Sequence, residues 1–247
     1  LPVLTFHGGR GYHDRRPRKE RLALRARTSS KLKVYAADLT HTDIALASGT
    51  FPLDLGYVAS AVKKVVGDEV EVELFRYPDD LDRSIRSETP DVFLFSGYIW
   101  NRNLALAFAK NIKSAYPDVL VVGGGPDISK DVETQRQFLE DNPWVDMWVL
   151  QEGEIATCHI LRTYLEVDRN IEALKERPLP SAISLAEDGS MREAGLWPRL
   201  GVRRPKASAE EHAEEPSWLA ELQSLDDVPS PYVSGVLDKF FDDRLYP

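Results

Sequence analysis

Short apolar runs alternate with longer amphipathic stretches from Lys31 onward, and this alternation predicts the secondary structure. Runs of four to six residues rich in Val, Leu and Phe are typical of buried β-strands. Apolar residues at three- and four-residue spacing are typical of helices that cover a sheet. The predicted strands are 33–37, 70–75, 92–95, 119–122 and 147–150. The predicted helices are 55–66, 104–112, 134–139 and 155–165.

Alternating strands and helices indicate repeated βα units around a parallel sheet. The middle strands are continuously apolar, as expected of strands covered on both faces, whereas 70–75 alternates Glu with Val and Leu like a half-exposed edge. We therefore predict an α/β fold: a doubly wound five-stranded parallel sheet of flavodoxin-like order 2-1-3-4-5. A C-terminal hairpin and a linker follow, because Asp188-Gly189 favours a tight turn and 201–217 is highly charged.

Charge is unevenly distributed along the chain. Residues 1–30 contain eight basic and two acidic residues, and the other 217 residues contain 23 basic and 38 acidic ones. An acidic body repels phosphate backbones, so nucleic-acid binding could come only from the basic leader. We interpret that leader as a solvated, disordered tail, and we expect no nucleic-acid partner. We divide the chain into a basic disordered leader (1–30), a ligand-binding domain (31–166), a hairpin extension (167–200), and a linker with a short helix (201–247). Because it begins at Leu1 and ends at Pro247 without a terminating feature, we expect an excerpt of a longer protein.

Composition argues against several other classes of protein. No apolar run reaches the roughly 18 to 20 residues of a membrane-spanning helix, and no signal peptide opens the chain, so we predict a cytoplasmic protein without a membrane partner. Cys158 is the only cysteine and cannot by itself hold zinc or an iron–sulfur cluster. We predict no metal ligand in this chain, and we expect any inorganic chemistry to come with a cofactor.

Four loops follow the carboxyl ends of the predicted strands, where open parallel sheets bind ligands. Small residues there would admit a close-lying ligand, and aromatic residues would offer flat walls. We expect these loops to converge on a crevice between strands one and three, although each loop alone also has a purely structural explanation. The candidate contact residues are Asp38, Thr40, His41, Ser96, Gly97, Tyr98, Ile99, Trp100, Asn101, Gly123, Gly124, Gly125, Pro126, Gln151, Glu152 and Gly153.

The residues at specific positions in these loops argue against two familiar functions, dinucleotide binding and phosphotransfer. A dinucleotide site needs glycines at the turn after strand one, where the chain has only Gly49, far from the strand end. Phosphorelay receivers, as a family, have an aspartate at the end of strand three and a lysine at the end of strand five, where this chain has Ser96 and Gln151. A flavodoxin-like flavin site stays open, because 40–50 contains four Ser and Thr residues.

The loops, in their order and spacing, resemble the cobalamin-binding domain of cobalamin-dependent radical S-adenosylmethionine (SAM) enzymes. The resemblance covers about residues 31–165, and the segment from Leu225 to Tyr232 resembles the stretch that precedes the radical domain in that family. The matching loop segments are Ser96-Gly97-Tyr98-Ile99-Trp100-Asn101, Gly123-Gly124-Gly125-Pro126, Val145-Asp146 and Glu152-Gly153-Glu154.

This resemblance implies a cobalamin cofactor and, as partner, a C-terminal radical domain that would contain SAM and a [4Fe-4S] cluster. The expected reaction is methyl transfer or another radical reaction, with no catalytic residue in this chain. Ser96 and the glycine run would contact the nucleotide tail of cobalamin. The alternatives are a flavin-binding or sensor module without catalysis, and a scaffold that binds neither ligand.

His41 is not expected to ligate cobalt. Cobalamin domains that supply a histidine contain Asp-x-His-x-x-Gly after strand one, whereas the spacing from Asp38 to His41 is one residue too long and the glycine is missing. The lower face of cobalt would then be left to water or shielded by Tyr98 or Trp100.

Overall fold

The computed structural model describes residues 31–42, 51–197, 199–201 and 216–241. The predicted basic leader and most of the charged stretch predicted as a linker lie outside the described residues.

Seven strands form one sheet in the described part of the chain, in the order β2-β1-β3-β4-β5-β6-β7. The first five pair in parallel, which confirms the α/β class and the order predicted for these strands. Their bounds are β1 Leu32–Ala37, β2 Val70–Phe75, β3 Val92–Ser96, β4 Leu120–Gly124, β5 Met147–Val149, β6 Ala182–Leu185 and β7 Met191–Glu193.

The predicted hairpin, β6 and β7, extends the sheet rather than following it. β6 pairs antiparallel with β5, where Trp148 lies opposite Ile183, and β7 pairs antiparallel with β6. A strand edge left at β5 would expose unpaired backbone groups, and the hairpin satisfies them. The sheet therefore has seven strands instead of the five predicted.

Helices cover both faces of the sheet. Their bounds are α1 Leu53–Val65, α2 Pro78–Ser87, α3 Arg102–Ala115, α4 Val132–Asp141, α5 Gly153–Glu166 and α6 Ile171–Lys175. The sequence pattern did not predict α2, because its charged residues outnumber the apolar ones and only Leu81 and Ile85 are buried. One core lies between the sheet and α1 with α5, and the other between the sheet and α2, α3 and α4.

The described C-terminal segment, 216–241, packs against α1. The Ser60 and Ser234 hydroxyls are 3.0 Å apart, and the Lys64 ammonium donates to the backbone carbonyls of Glu221 and Asp227. Several of its apolar side chains are buried in the α1 core: Trp218, Leu219, Leu222, Val228, Leu237 and Phe240.

The prolines of residues 225–232 predict an extended chain there, followed by the short helix, and the structure differs from this prediction. Short 3₁₀ turns occur at Leu225–Asp227 and Asp238–Phe240. A capping box between Ser224 and Asp227 stabilises the first turn, and the prolines that favour an extended chain come only after it.

Candidate functional site

A cavity of about 450 Å³ lies at the carboxyl ends of β3, β4 and β5, between α1 and α5. Its apolar walls are formed by Leu55, Val58, Leu94, Val122 and Val149. Polar side chains also line it: Asp54, Ser96, Tyr98, Gln151, Glu152, Glu154, Thr157 and Arg199. Other depressions lie beside the hairpin, along β2, and between the end of β2 and α2, away from the ends of β3, β4 and β5. Position and apolar lining make the 450 Å³ cavity the candidate site.

The glycines near the cavity have three different roles. A Cβ on Gly97 or Gly123 would lie within 2.6 Å of the buried Trp148 ring, so both are glycine because of core packing. Gly125 has a φ of +107°, and its Cβ would lie 2.7 Å from the Gly97 carbonyl oxygen. Among these four glycines, only Gly124 could take a Cβ with ordinary van der Waals contacts, since that Cβ would lie 3.6 Å from the Val149 Cβ. Gly124 is therefore the position where the missing side chain leaves room in the cavity.

A buried polar network occupies the space between the ends of β1 and β3, where the crevice was expected. The Asp38 Oδ1 accepts hydrogen bonds from the Ser96 hydroxyl at 2.8 Å and from the Asn101 amide at 2.9 Å. Its Oδ2 accepts from the Arg76 guanidinium at 2.6 Å. The open cavity consequently lies one strand further along the sheet, beside β3, β4 and β5.

The loop after β3 presents an aromatic surface. The Tyr98 and Trp100 rings stack with centroids 4.5 Å apart and planes 7° from parallel. Ile99 is 82% exposed and Trp100 is 59% exposed. The loop is held by the Asn101 side chain, which accepts from the Tyr98 backbone N–H, and by His41, whose Nε2 lies 2.9 Å from the Trp100 carbonyl oxygen.

Two titratable groups are strongly perturbed at the cavity mouth. Burial, together with the nearby charge of Asp38, raises the pKa of Asp54 to about 6, although the Leu55 N–H and the Tyr98 hydroxyl donate to it. Burial and the charges of Asp54 and Asp38 raise the pKa of Tyr98 to about 12. Tyr98 therefore stays protonated as a hydrogen-bond donor, and Asp54 titrates close to neutrality.

We expect Asp54 to make folding stability depend on pH. An aspartate in the unfolded chain titrates near pH 4, so between about pH 4 and pH 6 the folded protein binds a proton that the unfolded chain does not, and stability rises as pH falls through 6. Asp54→Asn, which keeps an acceptor for Tyr98, should raise the free energy of unfolding by about 1 to 3 kcal/mol at pH 8. Urea unfolding at about pH 8 and pH 4 measures this, and an equal gain at both pH values would contradict it.

The loop after β5 completes the cavity rim. Gln151 has a φ of +61°, which turns the chain sharply from β5 into α5. Glu152 accepts a hydrogen bond from the Leu200 backbone N–H at 3.0 Å and lies 3.8 Å from the Arg199 guanidinium. Burial raises the pKa of Glu154, which lies in the first turn of α5.

The structure brings nine of the sixteen predicted contact residues to the cavity: Ser96, Tyr98, Gly123, Gly124, Gly125, Pro126, Gln151, Glu152 and Gly153. Three others are buried and do not line the cavity, namely Asp38, Thr40 and Asn101. Gly97 packs on Trp148. His41, in the loop after β1, and Ile99 and Trp100, in the loop after β3, are exposed.

Sequence reasoning missed the helical side of the site. Asp54, Leu55 and Val58 from α1, and Thr157 from α5, line the cavity together with Arg199 from the segment after the hairpin. The apolar members follow the same three- and four-residue spacing as ordinary core residues, so the pattern cannot separate them. The one feature of the sequence that could have indicated these helical residues of the site is the acidic Asp54 at the start of an apolar helix.

Comparison with known proteins matches residues 44–161 to the B12 binding domain family. The chain is 33% identical over 156 residues to a cobalamin-dependent radical SAM methyltransferase, TokK, from Streptomyces tokunonensis. It is 29% identical over 149 residues to a 2-(S-pantetheinyl)-carbapenam-3-carboxylate methyltransferase from Streptantibioticus cattleyicolor. Each alignment covers 60% of this chain, and the chain spans only 17% of the length of each relative.

Solved structures of a cobalamin-dependent enzyme are similar to this chain in fold. The cobalamin-dependent SAM radical enzyme OxsB, with aqua-cobalamin and S-adenosylmethionine bound, superposes with a TM-score of 0.54 at 15% identity. The match covers 85% of this chain and 25% of that one. OxsB with aqua-cobalamin alone gives 0.53 at 16% identity, with the same coverage of both chains.

The described residues contain neither a helix of the length and apolar character needed to cross a bilayer nor a group of three or more His, Cys, Asp or Glu side chains that could hold a metal ion.

Proposed function

We propose that the chain binds cobalamin for a methyl-transfer reaction completed by a radical SAM domain, because residues 44–161 match the B12 binding domain family and the chain is similar to a cobalamin-dependent radical SAM methyltransferase. The observation that supports the proposal is the cavity at the carboxyl ends of β3, β4 and β5. It combines an apolar interior with a polar mouth at the edge of the sheet where parallel α/β folds bind their ligands.

The residues of the cavity fit the nucleotide tail of cobalamin. The tail ends in a flat, largely apolar benzimidazole, which suits walls of Val58, Leu94 and Val122 and the space left by Gly124. It also contains a phosphodiester, for which Arg199 supplies a positive charge in the lining. The corrin ring is too large for a 450 Å³ cavity, so we assign it to the surface outside, next to the aromatic loop after β3.

Bound cobalamin supplies a cobalt centre that can carry a methyl group between a donor and an acceptor. The contribution of this chain is to bind and orient the cofactor, and we assign no catalytic residue to it. Tyr98 and Trp100 would keep water and side-chain donors away from one face of the ring. The SAM, the [4Fe-4S] cluster and the methyl acceptor would belong to the radical domain.

Reconstitution tests the proposal. The purified chain is mixed with hydroxocobalamin, desalted and examined for corrin absorbance, and cobalamin and flavin mononucleotide are titrated separately by calorimetry. We expect retained corrin colour and saturable heat with cobalamin only. Saturable heat with flavin alone would instead support the flavodoxin-like alternative, and no heat with either would support a scaffold.

We expect His41→Ala to leave the cobalt environment unchanged. The His41 Nε2 lies at hydrogen-bond distance from the Trp100 carbonyl oxygen, and Asp38 bonds Arg76, Ser96 and Asn101 instead of orienting a histidine. The electron paramagnetic resonance spectrum of bound cob(II)alamin should show no histidine nitrogen coupling. Labelling the protein with ¹⁵N-histidine is the control, because a change in splitting on labelling, lost in His41→Ala, would show that His41 is a ligand.

A further inference from the structure

The depression beside the hairpin is a concave surface separate from the candidate cobalamin cavity. Its volume is about 420 Å³, and none of the residues that line it also lines the cavity. Its base is apolar, because the buried side chains of Met147, Leu179 and Ala182 belong to its lining. An inference about this depression therefore does not depend on the proposed function.

A buried hydroxyl without a hydrogen-bond partner lines the depression. Ser184, on β6, is only 5% exposed, and its hydroxyl makes no hydrogen bond to any of the described residues. Buried polar groups usually have a partner, because leaving one unpaired is costly. Ser184 lies directly opposite Arg192 on β7, and residues opposite each other in an antiparallel pair share one face of the sheet. The hydroxyl is therefore available to a ligand on the face that also presents Arg192.

The two carboxylates of the lining do not neutralise all of its basic side chains. Glu176 pairs with Arg192 at 2.5 Å, so these two charges balance each other. Glu193 lies opposite Ile183, whose side chain belongs to the core between the sheet and α2, α3 and α4. The Glu193 side chain is consequently directed to that other face, away from Ser184.

Two basic side chains remain for a ligand. Arg177, which follows α6, is exposed, and its guanidinium has no partner within the part of the chain that the structure describes. The Lys175 ammonium lies 3.5 Å from Glu172 and 3.9 Å from Asp146, and Asp146 is itself paired with Lys113 at 2.6 Å. A hydroxyl, a guanidinium and an ammonium group thus line one concave surface of a protein whose net charge is -9.

We propose that this depression binds a phosphate ester of a small apolar molecule. Phosphate oxygens accept hydrogen bonds and attract cations, which suits the three donor groups of Ser184, Arg177 and Lys175. A phosphate monoester has three terminal oxygens and a charge of about -1.5 to -2, so it matches one neutral and two cationic donors better than a carboxylate does. The apolar part of the ester would lie against Met147 and Leu179.

Methyl NMR spectroscopy tests the proposal, because the chain has two methionines, Met147 and Met191, and both line the depression. The full chain is labelled with ¹³C in the methionine methyl groups and titrated at constant ionic strength with phenyl phosphate, inorganic phosphate and benzoate. The Met147 signal should shift saturably with phenyl phosphate, more weakly with inorganic phosphate and least with benzoate. Met191 packs against the core on the other face, so its signal should shift less and serves as an internal reference.

Two variants test the donor groups. Arg177→Gln should weaken phenyl phosphate binding at least about tenfold, as expected of a charge-assisted hydrogen bond, and Ser184→Ala should weaken it about fivefold. Arg83→Gln is the matched control: this arginine side chain is 76% exposed on α2, outside the depression, and its loss should leave the affinity unchanged. Arg177 is also exposed, so Arg177→Gln should fold normally.

Three outcomes would overturn the proposal. The first is the absence of a saturable Met147 shift with phenyl phosphate, and the second is benzoate binding as tightly as phenyl phosphate. The third is an affinity that neither Arg177→Gln nor Ser184→Ala changes, which would show an adventitious ion only. No cobalamin enters these titrations, so their failure would leave the proposed function unaffected.

Discussion

Replacing Gly124 with leucine should lower the affinity for cobalamin about 100-fold while the protein still folds. A Cβ at this position would meet only Val149, at 3.6 Å, so β4 can accept a side chain there. The rest of the leucine side chain would extend into the 450 Å³ cavity and compete with the nucleotide tail. Displacing a packed side chain costs about 3 kcal/mol, which corresponds to the expected loss. Calorimetric titration with cobalamin measures it.

The neighbouring glycine provides the matched control. A Cβ on Gly123 would lie 2.5 Å from the Trp148 ring and 2.7 Å from Phe95, so Gly123→Ala should lower the free energy of unfolding by about 1 to 3 kcal/mol. Gly124→Ala should change both stability and affinity little. Wild-type affinity in a folded Gly124→Leu protein would show that the tail does not occupy this cavity.

Replacing Asp38 with alanine should cost about 3 to 5 kcal/mol of folding stability, because it removes the carboxylate that pairs with the buried Arg76 guanidinium. The change also removes the acceptor for Ser96 and Asn101. Urea unfolding of the wild type and the variant at neutral pH measures the loss.

Two further variants separate charge from shape in this network. Asp38→Asn keeps the shape and one acceptor oxygen, so its loss should be smaller than that of alanine. The double variant Asp38→Leu/Arg76→Met removes the carboxylate and the guanidinium together, and it should be more stable than Asp38→Ala, because the buried positive charge is removed along with the carboxylate that pairs with it. A loss below about 1 kcal/mol in Asp38→Ala would show that the network contributes little.

The parallel strands were predictable because their signal is local. A strand covered on both faces must be apolar along its whole length, and an edge strand alternates, so 92–95 and 70–75 differ visibly in the sequence. The hairpin strands were also visible from the Asp188-Gly189 turn. Their addition to the sheet was not, since a short strand has the same local pattern whether or not it pairs with β5.

The sequence could not predict why glycine occurs at each of these positions. Gly97, Gly123 and Gly124 all lie in loops or strand ends near the site, and the sequence suggested that they share one purpose. Alternation along β4 directs the Cβ of Gly123 toward Trp148 and that of Gly124 toward Val149 and the cavity. Trp148 lies 25 residues away from Gly123 along the chain, so no local pattern connects them.

The sequence by itself determined the α/β class, the order of five strands, the edge of the sheet where the ligand loops gather, and the resemblance to cobalamin-binding domains. Those properties depend on patterns within single segments and on general rules for parallel sheets. Only the tertiary structure decided that Asp38, Ser96 and Asn101 bond one another, and that α1 and α5 form the cavity walls. A hydrogen bond or a cavity requires side chains from distant segments to meet at specific distances, and a linear pattern does not contain those distances.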